Sequence, residues 1–235
     1  MITERAALLN TFAGLSALIC DPKTGRVFSG SRLTTYEGDD SACGLYVALV
    51  SLSALLHVNA LCQSINKVFT GNADSLNLPE GEGASKWSTD ELKETCAALE
   101  QVGVVSSSGP SGLTAEFPWE TGAASALTGE PTSLFRLQAD MPHPALGSGL
   151  FFQLMLPVSG PIERMAETAN RLNLFEFEAV DAPPFFGAWC VDFATKSLAH
   201  VGFMPNLLYI PGTAMNVAAW MMARSKIARS LVDQA

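Results

Sequence analysis

Gly149-Leu150-Phe151-Phe152-Gln153-Leu154-Met155-Leu156-Pro157-Val158 is apolar on both sides when written as a strand. Leu150, Phe152, Leu154 and Leu156 fall on one face, and Phe151, Gln153, Met155 and Pro157 on the other. An antiparallel sheet with one wet face alternates apolar and polar residues, so this strand predicts a sheet covered on both faces. The cover would come from helices, from the rest of the chain or from a partner. Upstream, Gly44-Leu45-Tyr46-Val47-Ala48-Leu49 has the same character and shares its glycine and both leucines with Gly149–Leu154. Arg-Leu precedes each segment, as Arg32-Leu33 and Arg136-Leu137. The match predicts an internal repeat in which strands at 44–53 and 149–158 are equivalent centres of related units.

Around these segments the punctuation is that of an α+β chain. Thr3 opens a helix over 2–15, and Asp21-Pro22-Lys23-Thr24-Gly25 is a turn between strands at 17–20 and 26–34. A helix is expected over 54–69 and a polar loop over 70–88. Ser88-Thr89-Asp90-Glu91 is a capping box, followed by Leu92, Cys96, Leu99 and Val102 at helical spacing and by Gly103 at the stop. Strands follow at 113–118, 133–140 and 149–158. Ser159-Gly160-Pro161 starts a helix with Pro161 in its first position. Strands at 187–194 and 198–204 and a helix from Thr213 to Val232 complete the chain. In that last helix Arg224, Lys226 and Arg229 are expected near the negative end of the dipole. The expected division is an N-terminal partial α-βββ-α unit with linker, 1–86, and a C-terminal α-βββ-α-ββ-α unit, 87–235.

Hydrophobic residues make up 48% of the 235 and charged ones 16%, enough for a sizeable core. Lys plus Arg number 14 against 23 Asp plus Glu, a net charge of −9 that argues against nucleic acid as a partner. Ser41–Asn66 and Ser197–Ala223 contain no Asp, Glu, Lys or Arg. Both exceed a bilayer's span, yet polar and proline residues interrupt them, so each reads as a strand followed by a helix rather than a membrane segment. The start, Met-Ile-Thr-Glu-Arg, has no basic region of a secretory signal. Cys20, Cys43, Cys62, Cys96 and Cys190 are scattered, odd in number and without a C-x-x-C pair. Free thiols in a cytoplasmic protein are the expectation.

The α-β-β-β-α-β-β-α order from residue 88, the acidic composition and the apparent doubling resemble the type III secretion chaperone-like fold. That resemblance implies an acidic bacterial cytoplasmic protein that dimerises and binds segments of partner proteins. It carries no signature motif, so no residue role follows from it.

Catalytic patterns are missing: there is no GxSxG, GxxxxGK[ST], HExxH or GxGxxG, and His57, His143 and His200 lie too far apart for local metal spacing. No metal or cofactor is expected. If Ala194-Thr195-Lys196 forms a three-residue loop, Cys190 faces His200 as a Cys/His pair; a two-residue loop sets His200 against Val191 instead. Glu176 and Glu178 share a face of an expected strand, where they read as its solvated edge, with an acid pair as the alternative. In Pro183-Pro184-Phe185-Phe186-Gly187-Ala188-Trp189, Trp189 belongs to the core, whereas Phe185 and Phe186 follow two prolines in an expected loop and mark a partner surface. The functional expectation is non-catalytic binding of a protein partner or of itself. The alternative is a small-molecule binder or enzyme with a site between the halves. A continuous apolar surface without titratable groups favours the first, and a concave pocket with convergent polar groups the second.

Overall fold

A computed structural model describes residues 2–12, 14–32, 40–65, 87, 89–119, 131–143, 146–179 and 184–232. The chain is α+β, with helices α1 (Ile2–Leu9), α2 (Asp40–Ser64), α3 (Thr89–Gln101), α4 (Ile162–Glu178) and α5 (Thr213–Val232). Strands β1 (Ala17–Cys20) and β2 (Val27–Gly30) form a hairpin. Strands β3 (Val105–Ser108), β4 (Gly112–Pro118), β5 (Thr132–His143), β6 (Gly147–Ser159), β7 (Ala188–Asp192) and β8 (Ser197–Pro205) form one antiparallel sheet in the order β3-β4-β5-β6-β8-β7. From residue 87 the order therefore holds one strand, β3, more than the resemblance requires.

The strand over 149–158 forms as its pattern predicts. Ala115, Phe135, Leu154, His200 and Trp189 lie in one cross-strand row on the inner face, and Leu113, Leu137 and Phe152 in the next. Against these rows pack Leu92, Cys96 and Leu99 of α3 and Val217, Met221 and Ala228 of α5. On the outer face, cover is unequal. The β7–β8 end, with Ala188, Cys190, Ala199 and Val201, is buried beneath Ala17 and Ile19 of β1 and Phe185. At the β3–β6 end no described element covers this face, and Arg136 and Gln138 are exposed there.

Two strand edges are closed by asparagine side chains. Asn10 Nδ2–H donates to the Leu18 carbonyl at 3.0 Å and its Oδ1 accepts the Leu18 N–H at 2.8 Å. Asn170 does the same for Cys20 (2.8 and 2.7 Å), and Asn173 for Trp189 (2.9 and 2.8 Å). Asn10 Nδ2 also reaches the Trp189 carbonyl at 3.4 Å, so β1 and β7 are joined through amide side chains rather than a ladder. Each amide supplies the donor and acceptor that a neighbouring strand would have given.

Ser41–Asn66 departs from expectation. Instead of a strand at 44–53 and a helix after it, α2 runs unbroken over Asp40–Ser64. Leu49, Leu52, Ser53, His57 and Leu61 are its buried residues, spaced at i, i+3, i+4, i+8 and i+12. A continuous apolar run satisfies strand and helix periodicity alike, and here the local pairing a strand would need is taken by β1 and β2 alone. The match of Gly44–Leu49 with Gly149–Leu154 thus sets a helix over a strand, and the two segments are not equivalent centres. Ala7, Leu15, Leu49 and Leu52 share one hydrophobic cluster with the inner face of the six-stranded sheet, so the segments before and after residue 86 have a core in common.

Candidate functional site

Phe185 and Phe186 are both 0% exposed, which overturns the expected partner surface. They form a two-sided staple. Phe185 enters the outer-face layer, edge-on to Phe177, and exchanges backbone hydrogen bonds with Arg32 at 2.7 Å each way. Phe186 enters the inner core, edge-on to Phe152 and Trp220. Gly187, at φ +82°, turns the chain into β7 immediately after; a Cβ there would meet the Val201 carbonyl oxygen at 2.3 Å.

Cys190 and His200 are not brought together. The β7–β8 connection spans 193–196, with Lys196 at φ +53°, and pairs Asp192 with Ser197, which sets Trp189 against His200 and Cys190 against Ala199. The thiol lies in the outer layer, while the imidazole stacks over Phe152 and meets Trp189 edge-on in the inner one. Burial, with a smaller contribution from the Asp192 carboxylate, holds the thiol far above its ordinary pKa. Burial, then the Arg224 guanidinium, holds the imidazole well below its own. No thiolate is generated there. Cys190 is expected to stay unlabelled by a thiol reagent at pH 7.5 until denaturant is added; native-state labelling read by peptide mass spectrometry checks this.

Glu176 is on helix α4 rather than on a strand edge, and it is 0% exposed. Its Oε1 accepts the Trp189 Nε1–H at 2.6 Å, and its Oε2 lies 2.8 Å from Nε of Arg224. Arg224 is likewise 0% exposed, not at the dipole end as expected. Its Nη2–H donates to the Pro184 carbonyl at 2.5 Å, while Arg32 Nη2–H donates to the Glu176 carbonyl at 3.1 Å. One ion pair thus ties α4, α5, β7 and the chain before Phe185 together. It resembles catalytic machinery in composition only, because Glu176, Arg224, Trp189 and His200 are all closed to solvent. Among the described residues no cluster of His, Cys, Asp and Glu could hold a metal.

The remaining feature is the side of α2 turned from the core. Val47 and Ser51 are exposed, and Ala54, Leu55 and Cys62 half-buried, at i, i+4, i+7, i+8 and i+15. This stripe contains no ionisable group other than a thiol. Gly44–Ser64 is also long and apolar enough to cross a membrane. Inward, however, α2 is tied to the fold: Ser53 Oγ accepts the Leu15 N–H at 3.2 Å and lies 3.2 Å from Ser16 Oγ. Comparison with protein-family models, with curated proteins and with solved structures finds no match to this chain.

Proposed function

We propose that the chain is a non-catalytic protein-binding protein of the cytoplasm, chaperone-like in the sense of holding another polypeptide, and that α2 makes the contact with a second copy of itself. The supporting observation is the charge-free stripe Val47, Ser51, Ala54, Leu55 and Cys62 on the outer side of a 25-residue helix. Two copies carrying −9 each repel over most of their surfaces, and Ser41–Asn66 is a stretch where that repulsion has no local source. A helix of this length offers a seam of about 37 Å, and its small residues let two backbones approach closely. Bilayer insertion would cost α2 its inward hydrogen bonds from Ser53, so self-association is the favoured occupant.

The chain is expected to sediment as a dimer at micromolar concentration, and Val47→Asp, at a side chain 61% exposed, to give a monomer with an unchanged melting temperature. Analytical ultracentrifugation with circular dichroism tests this. A monomeric wild type, a dimer indifferent to both Val47→Asp and Leu55→Asp, or recovery only in detergent would each refute the reading.

A further inference from the structure

The open end of the sheet's outer face holds a trough of about 500 Å³, in the size range of small-molecule sites. Its floor follows from the register. Ser107, Thr114, Arg136 and Gln153 stand in one cross-strand row, and Gly112, Gln138 and Phe151 in the next. Gly112 keeps the trough open: a Cβ there would meet the Leu137 carbonyl oxygen at 2.5 Å, and no side chain fills the position. The Ser107 and Thr114 hydroxyls lie 2.9 Å apart at the β3 end. At the β6 end half-buried Phe151 presents an apolar wall continuous with both hydrophobic clusters.

Among the described residues Arg136 is the only cation of the trough, and it makes no ion pair or hydrogen bond with them. Glu116, two residues from Thr114 along the same face of β4, takes a hydrogen bond from Thr132 at 3.4 Å. In a chain with a net charge of −9, an unpaired guanidinium ringed by neutral hydroxyls and amides is complementary to an anion from outside. One cation without a second beside it matches a single charge. We propose that this trough binds a small amphiphilic carboxylate, its oxygens held in a fork by Arg136 and its apolar body laid on Phe151. The site lies on a different surface from α2 and does not depend on self-association.

The probe is 4-phenylbutyrate, with 4-phenylbutanol and inorganic phosphate as comparators, titrated into the full chain by amide NMR and calorimetry. Saturable shifts at Gly112, Thr114 and Gln153 are expected, weakened at least tenfold by Arg136→Gln and unaffected by Val47→Asp. Phosphate and the alcohol are expected to bind more weakly than the carboxylate. Absence of saturable shifts at the trough, equal affinity in Arg136→Gln, or equal affinity for the alcohol or phosphate would overturn the proposal.

Discussion

Glu176→Ala is expected to destabilise the protein by about 3 to 5 kcal/mol, the range seen when one member of a fully buried ion pair is removed. Arg224 would remain 0% exposed with no counterion, and the Trp189 indole N–H would lose its acceptor. Burial already lowers the pKa of this guanidinium, and the carboxylate is the main influence opposing that. Arg224→Met alone is expected to be comparably damaging, because it strands the carboxylate instead. Replacing both, as Glu176→Leu with Arg224→Met, removes two desolvated charges together and is expected to recover most of the loss. Urea unfolding of the two single variants and the double variant gives the coupling. Additive losses in the double variant, or a Glu176→Ala loss under about 1 kcal/mol, would show that charge pairing is not what holds these helices together.

Acid is expected to unfold the protein beginning near neutrality rather than near pH 4. Burial brings His57 down to about 4, against a lesser upward pull from the Phe12 carbonyl and a small downward one from His143. Burial lowers His143 as well, and lowers His200 further still, with Arg224 adding to the effect. A histidine whose folded pKa is depressed binds its proton more readily in the unfolded chain. Its stabilising contribution is therefore complete above the unfolded value of about 6.5 and declines as pH falls toward the folded one. For His57 that amounts to about 3 kcal/mol between pH 6.5 and 4, at about 1.4 kcal/mol per pH unit. His200, whose ring nitrogens have no partner among the described residues, adds a parallel slope. Urea midpoints at pH 7.5, 6.5, 5.5 and 5.0 are expected to fall steadily, and His200→Phe to shallow that fall. A midpoint constant from pH 7 to 5 would refute the assignment.

Elements with chemical punctuation were legible in the sequence. The Thr89-Asp90-Glu91 start and the Gly103 stop bound α3, with Gly103 at φ +80°. Pro161 stands one position earlier than expected, at the N-cap of α4, and Thr213 opens α5 where expected. The Glu91 carboxylate also accepts the Tyr209 hydroxyl at 2.6 Å and the Ala214 N–H at 3.2 Å, serving the start of α5. Ser88, the other half of the capping box, lies outside the described residues, as do 70–86.

What was not legible depended on contacts distant in sequence. Phe185 and Phe186 follow prolines, which set local backbone but say nothing of what closes over it. The Trp189–His200 register hangs on a four-residue connection, one residue longer than the three-residue loop and two longer than the two-residue one. Charge was the more recoverable omission. Met165, Ala169, Leu172 and Glu176 recur at i, i+4, i+7 and i+11, and so do Val217, Met221, Arg224 and Ala228. Helical periodicity alone puts one carboxylate and one guanidinium on the buried stripes of two helices, and two opposite charges on buried stripes require each other.

The asparagine closure of β1 and β7 leaves these strands vulnerable in a particular way. A ladder is redundant, since losing one of its bonds leaves neighbours in place, but Asn10 is sole warden of Leu18 and Asn170 of Cys20, while Trp189 has Asn173 and only a longer bond from Asn10. A single codon change at Asn10, Asn170 or Asn173 would bare backbone donors and acceptors on a strand flanked by apolar residues, a ready template for fibril-like stacking between molecules.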